Sequence, residues 1–486
     1  MSSHHYVACD LGAESGRVML GTLTDHKLTL EEIHRFGNGP VLVNGTMRWD
    51  VLRILDELKT GLRKVSARDV PVASLSTDSW GVDYVWLRDA EPLLTAPYHY
   101  RDARTDGGFE RAFAVVPREE IFAETGIQFM TLNTLYQLHA DVQQRPWILK
   151  QADRFLMMAD YFNYLFSGMG KCEESLASTT QLFNPRRKKW SRPLMKKLGL
   201  PLKRFPEVVE SGTVLGPLSP EFGLPGAQVI ASCSHDTGAA VAAVPAEGKG
   251  WAYLSSGTWS LLGIEAKKPI ITDASRQHNW TNEMGYDHSV RFLKNIVGLW
   301  IVQECRRTWA KAGQEYSYDE ITRLAAEAPA LQCLINPGDA RFLKPDDMPS
   351  KIAAFCRESG QPAPASPGQT VRAVLESLAL LYRHTLAACT AITGQEINRL
   401  HIVGGGSKNR LLNQFSANAI QLPVVTGPVE ATAIGNVLIQ ALALGHLASL
   451  RDLRRVVRDS FPVETYQPQD AATWDEADGR FAKLIA

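Results

Sequence analysis

The sequence has no surplus of charge of either sign: 52 Lys and Arg balance 52 Asp and Glu over 486 residues. Binding to nucleic acid or to an anionic membrane surface favours a basic excess, so neither partner gains support. A local site for a small anion stays open, because phosphate can be held without net charge. No run of about 18 uninterrupted apolar residues occurs, so no membrane span is expected. The start, M-S-S-H-H-Y-V-A-C-D, turns straight into strand-like sequence and lacks a charged segment followed by an apolar one, so no signal peptide is expected. There is no C-x-x-C pair, and the seven cysteines (9, 172, 233, 305, 333, 356 and 389) are scattered and odd in number. Zinc and dithiol chemistry are thereby disfavoured, and buried free thiols in a reducing cytoplasm are expected. No fixed-period repeat and no G-x-G-x-x-G is found, which removes a solenoid and gives a dinucleotide fold little support.

What is present is an alternation of strand-like and helix-like segments, which places the chain in the α/β class, with length enough for two or more domains. Tyr6–Asp10 is a short apolar strand ending in Asp10-Leu11-Gly12. Ala252–Ser255 is another, ending in Ser255-Ser256-Gly257-Thr258. Each runs into further β-rich sequence, Arg17–Leu23 and Ser260–Glu265. Strand, glycine turn, strand is a hairpin, and two of them half a chain apart suggest two related lobes, each offering a glycine turn to one ligand. Further strands are expected at Ile33–Phe36, Met47–Trp49, Val72–Asp78, Tyr84–Arg88, Gln228–Ala231 and Leu400–Val403. A helix is expected at Val51–Ser66, where Val51, Leu52, Leu55, Leu58, Leu62 and Val65 recur mostly at three- and four-residue steps. Others are expected at Glu119–Thr125, Asn133–Gln144, Ala159–Phe166, Leu299–Trp309, Tyr318–Ala328 and Thr370–Thr393. Thr237–Val244 and Ala431–Ala443 read as helices of small residues. The basic run Arg186–Lys189 reads as a solvated loop, and the Pro- and Gly-rich stretches Pro201–Pro225 and Gly360–Gly368 as irregular chain. The lobe boundary is expected at Pro245–Gly250, giving domains 1–244 and 245–486.

Six motifs carry chemistry. In D-L-G-A-E-S-G-R, Asp10–Arg17, a hairpin turn can aim backbone N–H groups and a hydroxyl at phosphate, Arg17 adds positive charge, and Asp10 can hold Mg²⁺ through water. Y-L-S-S-G-T-W-S, Tyr253–Ser260, repeats that physics with three hydroxyls around Gly257. Gly16 and Gly257 are expected to leave room for phosphate and to favour positive φ. H-I-V-G-G-G-S-K-N, His401–Asn409, removes side chains where a flat ligand can approach the backbone. Each of these three is equally an ordinary turn. S-H-D-T-G-A-A-V, Ser234–Val241, puts Asp236 at a strand end opening a helix, a place for a general base or for a mere helix cap. D-S-W-G-V-D-Y, Asp78–Tyr84, with Y-R-D-A-R-T, Tyr100–Thr105, offers aromatic faces and charged rims that suit a sugar, or a salt-bridged loop. L-K-N-I-V-G-L-W-I-V-Q, Leu293–Gln303, brackets a helix start with Asn295 and Gln303, which can serve a ligand or be buried amides.

The order of all six, from Val7 to about Pro468, resembles the carbohydrate-kinase family that includes glycerol, xylulose, gluconate and rhamnulose kinases. The resemblance implies an actin-like, hexokinase-type ATPase fold: two related α/β lobes with a central ligand cleft, the first lobe carrying the sugar site and a phosphate turn, the second binding nucleotide. It implies that Asp236 is the catalytic general base. It implies ATP contacts at Ala13, Glu14, Ser15, Gly16, Arg17, Thr258, Gln303 and Gly405, and substrate contacts at Gly81, His235, Asp236, Thr237 and Asn295. Mg²⁺ would accompany ATP, held by Asp10 through water.

Several segments resemble the rhamnulose-phosphorylating branch in particular: H-R-F-G-N-G at His34–Gly39, G-I-Q-F with N-T-L-Y-Q-L at Gly126–Leu138, M-A-D-Y-F-N-Y-L at Met158–Leu165, S-H-D-T, and G-P-V-E-A-T-A-I-G-N at Gly427–Asn436. The implied reaction is ATP + L-rhamnulose → ADP + L-rhamnulose 1-phosphate, a step of L-rhamnose degradation. Two residues depart from the pattern. Glu14 stands in the phosphate turn where a small or hydroxyl residue is usual, so it is expected to face solvent; Met284 stands where the relatives have Gly. A kinase for another ketose, such as L-fuculose or xylulose, and a non-catalytic sugar sensor on the same fold are the rival readings. An actin- or chaperone-like ATPase would lack the sugar-facing segments.

Overall fold

The structure is a computed structural model that describes residues 3–485, so positions 1, 2 and 486 of the two expected domains lie outside the described residues. The chain forms two compact units. The first comprises Met1–Ala243, Glu265–Phe292 and Ala431–Phe461; the second comprises Val244–Ile264, Leu293–Glu430 and Pro462–Ala486. Two later segments thus return to the first unit, which a single cut in the sequence cannot express.

The first unit is built on a six-stranded sheet in the order Thr213–Pro217, Gln228–Ala231, Val72–Ser79, Ser3–Leu11, Ser15–Thr24, Lys27–Gly37. Its two hairpin partners run antiparallel to Ser3–Leu11 and to each other, while Val72–Ser79 and Gln228–Ala231 join in parallel. Residues 6–11 are all buried, as expected of a strand covered on both faces. On one face Val7, Cys9 and Leu11 share a core with Val51, Ile54, Leu58 and Leu62 of helix Val51–Ser66 and with Phe162 and Phe166. Asp50 caps that helix, its side chain accepting from Arg53 N at 3.0 Å. The buried stripe contains Ile54, while Leu52, read from the sequence as part of it, is 50% exposed.

Helix Ala431–Ala443 covers the other face, packing on Ser3–Leu11, Val72–Ser79 and the helix Asp236–Ala242. The small residues of the two helices let their backbones approach closely: a Cβ on Gly435 would lie 1.9 Å from the Ala239 carbonyl oxygen. The Pro- and Gly-rich stretch expected to be irregular contributes the edge strand Thr213–Pro217, whose Gly216 adopts φ 142°, at a register shift.

In the second unit the strand order is Val290–Val297, Trp259–Ala266, Trp251–Ser256, Arg399–Val403, Val424–Thr426, Glu464–Tyr466. Strand Trp251–Ser256 pairs antiparallel with Trp259–Ala266 and parallel with Arg399–Val403, as Ser3–Leu11 pairs with its two neighbours in the first unit. The two units therefore repeat one strand arrangement, the two related α/β lobes expected from the sequence. All seven cysteines are buried and free, and no helix among the described residues is long and apolar enough to cross a membrane.

Gly435→Ala must push helix Ala431–Ala443 off its neighbour, and overpacking of this kind costs about 1–3 kcal/mol. Urea unfolding should show that loss; a variant as stable as the parent would mean the two helices are not in backbone contact.

Candidate active site

Strands Ser3–Leu11 and Val72–Ser79 run side by side with Asp10 opposite Asp78. Asp78 has no exposure and Asp10 is 3% exposed. Burial first, and then the neighbouring Asp10, push the Asp78 carboxyl well above the usual carboxylate range; Asp236 adds to the effect, and a hydrogen bond from Asn436 opposes it. Asn436 Nδ2 donates to Asp78 Oδ2 at 2.6 Å, while Oδ1 is buried with no hydrogen-bond partner among the described residues. Arg17 Nη2 donates to Asp10 Oδ2 at 2.5 Å.

Asp236 stands in the first turn of helix Asp236–Ala242, and the cap position belongs to His235. Its Oδ1 accepts from Thr237 N at 2.5 Å and Thr237 Oγ1 at 3.0 Å. Its Oδ2 has no partner among the described residues, on a side chain 29% exposed. That leaves one carboxylate oxygen open to a ligand.

The loop before Asp236 is fixed from below by Glu173. This buried carboxylate accepts from Ser175 N at 2.9 Å, Ser175 Oγ at 2.5 Å, Leu176 N at 3.1 Å and Ser234 N at 3.0 Å, and also from Ser211 Oγ. Ser175 Oγ in turn accepts from His235 N at 3.1 Å. The His235 ring meets Arg291, whose Nη2 lies 3.0 Å from Nδ1. Met284 acts here through its backbone: its carbonyl accepts from Arg291 Nε at 2.9 Å, its N–H donates to Ser178 Oγ at 2.9 Å, and its side chain is buried.

Gly81 lies in a γ-turn: Asp83 N donates to Gly81 O at 2.9 Å, and Val82 between them adopts φ 67°. Positive φ on a β-branched residue is strained, and strain of this kind is held where function needs a particular backbone direction. A Cβ on Gly81 would stand 3.1 Å from the Thr179 side chain, whose Oγ1 accepts from Val82 N at 3.1 Å. Asp83 ties this turn to an aromatic group. Its Oδ2 accepts from the Trp49 indole at 2.5 Å and the Trp80 indole at 2.9 Å, and its Oδ1 accepts from Gln137 Nε2 at 3.0 Å.

In the first glycine turn Gly12 N donates to Ser15 O at 2.9 Å, and Asn38 grips the turn through Glu14 O at 2.9 Å and Gly12 O at 2.8 Å. Ala13–Ser15 form its tip, and Glu14 is exposed as expected. The two glycines expected to favour positive φ, Gly16 and Gly257, do not adopt it. A Cβ on Gly16 would strike the Phe36 ring at 2.2 Å, so that glycine makes room for packing. Gly257 is the open position, its nearest neighbour being the Trp259 carbonyl at 3.9 Å.

In the second unit, the turn at Gly257 and Thr258 is clasped by the start of helix Trp300–Lys311. Gly298 N and Trp300 N donate to Thr258 O, both at 3.2 Å, and Leu299 N donates to Gly257 O at 3.0 Å. Gly298 is needed for that clasp, since a Cβ there would lie 2.7 Å from the Trp259 backbone. Gly404 adopts φ 84°, and a Cβ on Gly406 would meet Ser256 Oγ at 2.0 Å, whereas Gly405 faces open space. Gln303 Oε1 is buried without a hydrogen-bond partner among the described residues, an acceptor that a ligand N–H or O–H can satisfy. Asn295 is half-buried on strand Val290–Val297.

The first unit therefore gathers Asp10, Arg17 and Asp236 around Asp78, with His235 paired to Ser79 beside it, Thr237 bonded to Asp236, and Gly81 just past the end of the same strand. The second holds Thr258, Asn295, Gln303 and Gly405. Sequence reasoning passed over Asp78 as a site residue, although it opens the D-S-W-G motif, and over Asn436, which ends another. Arg291 and Glu283 gave no local signal.

Two family models match, the FGGY family of carbohydrate kinases N-terminal domain over residues 5–243 and its C-terminal domain over residues 252–444. The chain is 43% identical to a rhamnulokinase of Bacteroides thetaiotaomicron, covering 99% of both chains. It is 42% identical to one of Enterococcus faecalis, covering 95% of this chain and 94% of that one. In fold it is similar to the gluconate kinase of Lactobacillus acidophilus, with a TM-score of 0.82 at 17% identity, covering 99% and 98% of the two chains.

Burial holds Asp83 up at about 6, above the 3.8 of a free carboxyl. The native state keeps this proton between those two values while the unfolded chain releases it. The associated stability is full below about pH 4, is lost as the pH rises to about 6, and changes no further above that; the loss is about 3 kcal/mol. Asp83→Asn keeps an acceptor for the indoles and has no proton to lose. Urea unfolding across this window should give a flatter profile for Asp83→Asn, and parallel profiles would refute the assignment.

Proposed function

From the premise that the chain belongs to the FGGY family of carbohydrate kinases, and so is an ATP-dependent sugar kinase, we propose that its substrate is L-rhamnulose, phosphorylated on the C1 hydroxyl. The observation that carries this reading is the end-to-end likeness to rhamnulokinases. The open Oδ2 of Asp236 supports the chemistry.

In the first unit, Asp236 Oδ2 takes the proton of the C1 hydroxyl. The C1 oxygen forms its bond to the γ-phosphorus as the bond from that phosphorus to the β–γ bridging oxygen breaks, and ADP leaves. His235, Thr237 and the Gly81 backbone hold the sugar, and the turn of Ala13, Glu14, Ser15, Gly16 and Arg17 meets phosphate through its backbone while the Glu14 carboxylate points away. In the second unit, Thr258 meets phosphate, Gln303 and Gly405 meet the adenosine, and Asn295 meets the sugar. Most of the rate comes from positioning and charge neutralisation.

Among the described residues no group of three or more side chains is placed to grip a bare metal ion. The carboxylates of Asp10 and Asp78, with the unpartnered Asp78 Oδ1, fit a hydrated one. Mg²⁺ entering with ATP would be held there by Asp10 through water and would neutralise phosphate charge.

A panel of ketoses assayed with ATP tests the substrate: L-rhamnulose should give the highest kcat/KM. A higher value for L-fuculose or xylulose would replace the substrate, and no turnover of any ketose would leave a sensor. With the best ketose, Asp236→Asn should lower kcat by ~10²–10⁴, with little change in Tm, since the amide oxygen retains the Thr237 contacts. More than roughly a tenth of the parent kcat remaining would remove the general-base role.

A further inference from the structure

Arg291 is fully buried at the start of strand Val290–Val297 and touches no part of the proposed reaction. Two of its three nitrogens are within hydrogen-bond reach of a partner, and the third, Nη1, faces Glu283 as an ion pair without a hydrogen bond among the described residues. Nε donates to the Met284 carbonyl at 2.9 Å, Nη1 lies 3.2 Å from Glu283 Oε2, and Nη2 lies 3.0 Å from His235 Nδ1. Glu283 Oε2, 3.3 Å from the same ring nitrogen, balances the guanidinium charge. On its other side His235 presents Nε2 to Asp236 Oδ1 at 3.4 Å. The His235 backbone is fixed independently, through Ser175.

A guanidinium has donors and no acceptor. A ring nitrogen 3.0 Å from Nη2 must therefore offer its lone pair, or two N–H groups would point at each other. Resting on the reading of Asp236 as the base and His235 as a sugar contact, we propose that Arg291 is a positioning residue that fixes His235 in the tautomer with its proton on Nε2. A donor then faces the Asp236 carboxylate and the sugar hydroxyls. In the other tautomer a lone pair would face the carboxylate, and a hydroxyl would lose its donor. Neither Arg291 nor Glu283 needs to reach the substrate for this. The burial of an ion pair beside the base loop, which is costly unless its bonds are all used, thereby acquires a purpose.

The test has an arm that needs no substrate. In the wild-type protein with ¹⁵N-labelled histidine, the His235 signals, assigned by their loss in His235→Gln, should show a pyridine-like Nδ1 and a pyrrole-like Nε2. A protonated Nδ1 would overturn the proposal whichever sugar is phosphorylated. The second arm pairs Arg291→Met with Glu283→Gln, so that no buried charge is left alone. With the best ketose of the panel, the pair should lower kcat/KM for the sugar about tenfold or more, the scale of one hydrogen bond to a charged group, and leave the KM for ATP unchanged. The side chain of His235→Gln carries its donor at the Nε2 position whatever Arg291 does. In that background the same pair should cost less than about threefold. Equal losses in both backgrounds would make Arg291 merely structural. Should the pair fail to fold, the wild-type spectrum still decides. Should no ketose react, the sugar-kinase reading fails while the tautomer stands or falls on the spectrum.

Discussion

Glu173 is a buried carboxylate with five donors aimed at it, and the placement of the loop that leads into Asp236 depends on that arrangement. Burial alone raises its pKa, and the hydrogen bonds oppose the rise. An ionised group can remain inside a protein only when its lone pairs are filled. Filling them here ties the helix start at Ser175 and Leu176, the turn at Ser211 and the strand end at Ser234 to one point. Asp236 follows two residues later and takes its position from that anchor. Removing the carboxylate would strand several donors at once, which is a larger penalty than the loss of any one bond.

The same logic recurs around Asp83 and Asp78. Each is a buried carboxylate held by side chains from distant parts of the sequence: Trp49 and Gln137 in one case, Asn436 in the other. These contacts draw the turn after strand Val72–Ser79, the end of that strand and the late helix Ala431–Ala443 into one unit. Polar burial of this kind specifies a geometry more than it adds stability.

Much of this was legible in the sequence, and the failures have physical causes. Both hairpins, the helix Val51–Ser66 and the strands Tyr84–Arg88 and Gln228–Ala231 follow from short-range periodicity and turn chemistry, and they lie where those signals put them. Pro367, in a Pro-rich stretch that reads as loop, is the first residue of helix Pro367–Thr393, capped by Ser366, a position proline favours. Helix Leu450–Ser460 was passed over because its sequence is dominated by charge, although Leu453, Val456 and Val457 form a narrow buried stripe behind the Ser449 cap. In the site, Asp236 and the turns could be found because each sits at the end of a local pattern. Arg291 could not, because the partner that brings it to the site, His235, lies 56 residues away and no local periodicity links the two.

The return of Ala431–Phe461 to the first unit has a bearing on how the chain is made. Without that segment one face of the first sheet, including Tyr6 and Ala8 of strand Ser3–Leu11, has lost its cover. A ribosome that has finished the first 243 residues has therefore released a sheet whose second face is still bare. The first unit cannot complete its core until nearly the whole polypeptide has emerged. Domain-by-domain maturation during synthesis, the usual protection of a long chain against aggregation, is closed to this protein, and its early half has to be shielded until residues 431–461 arrive.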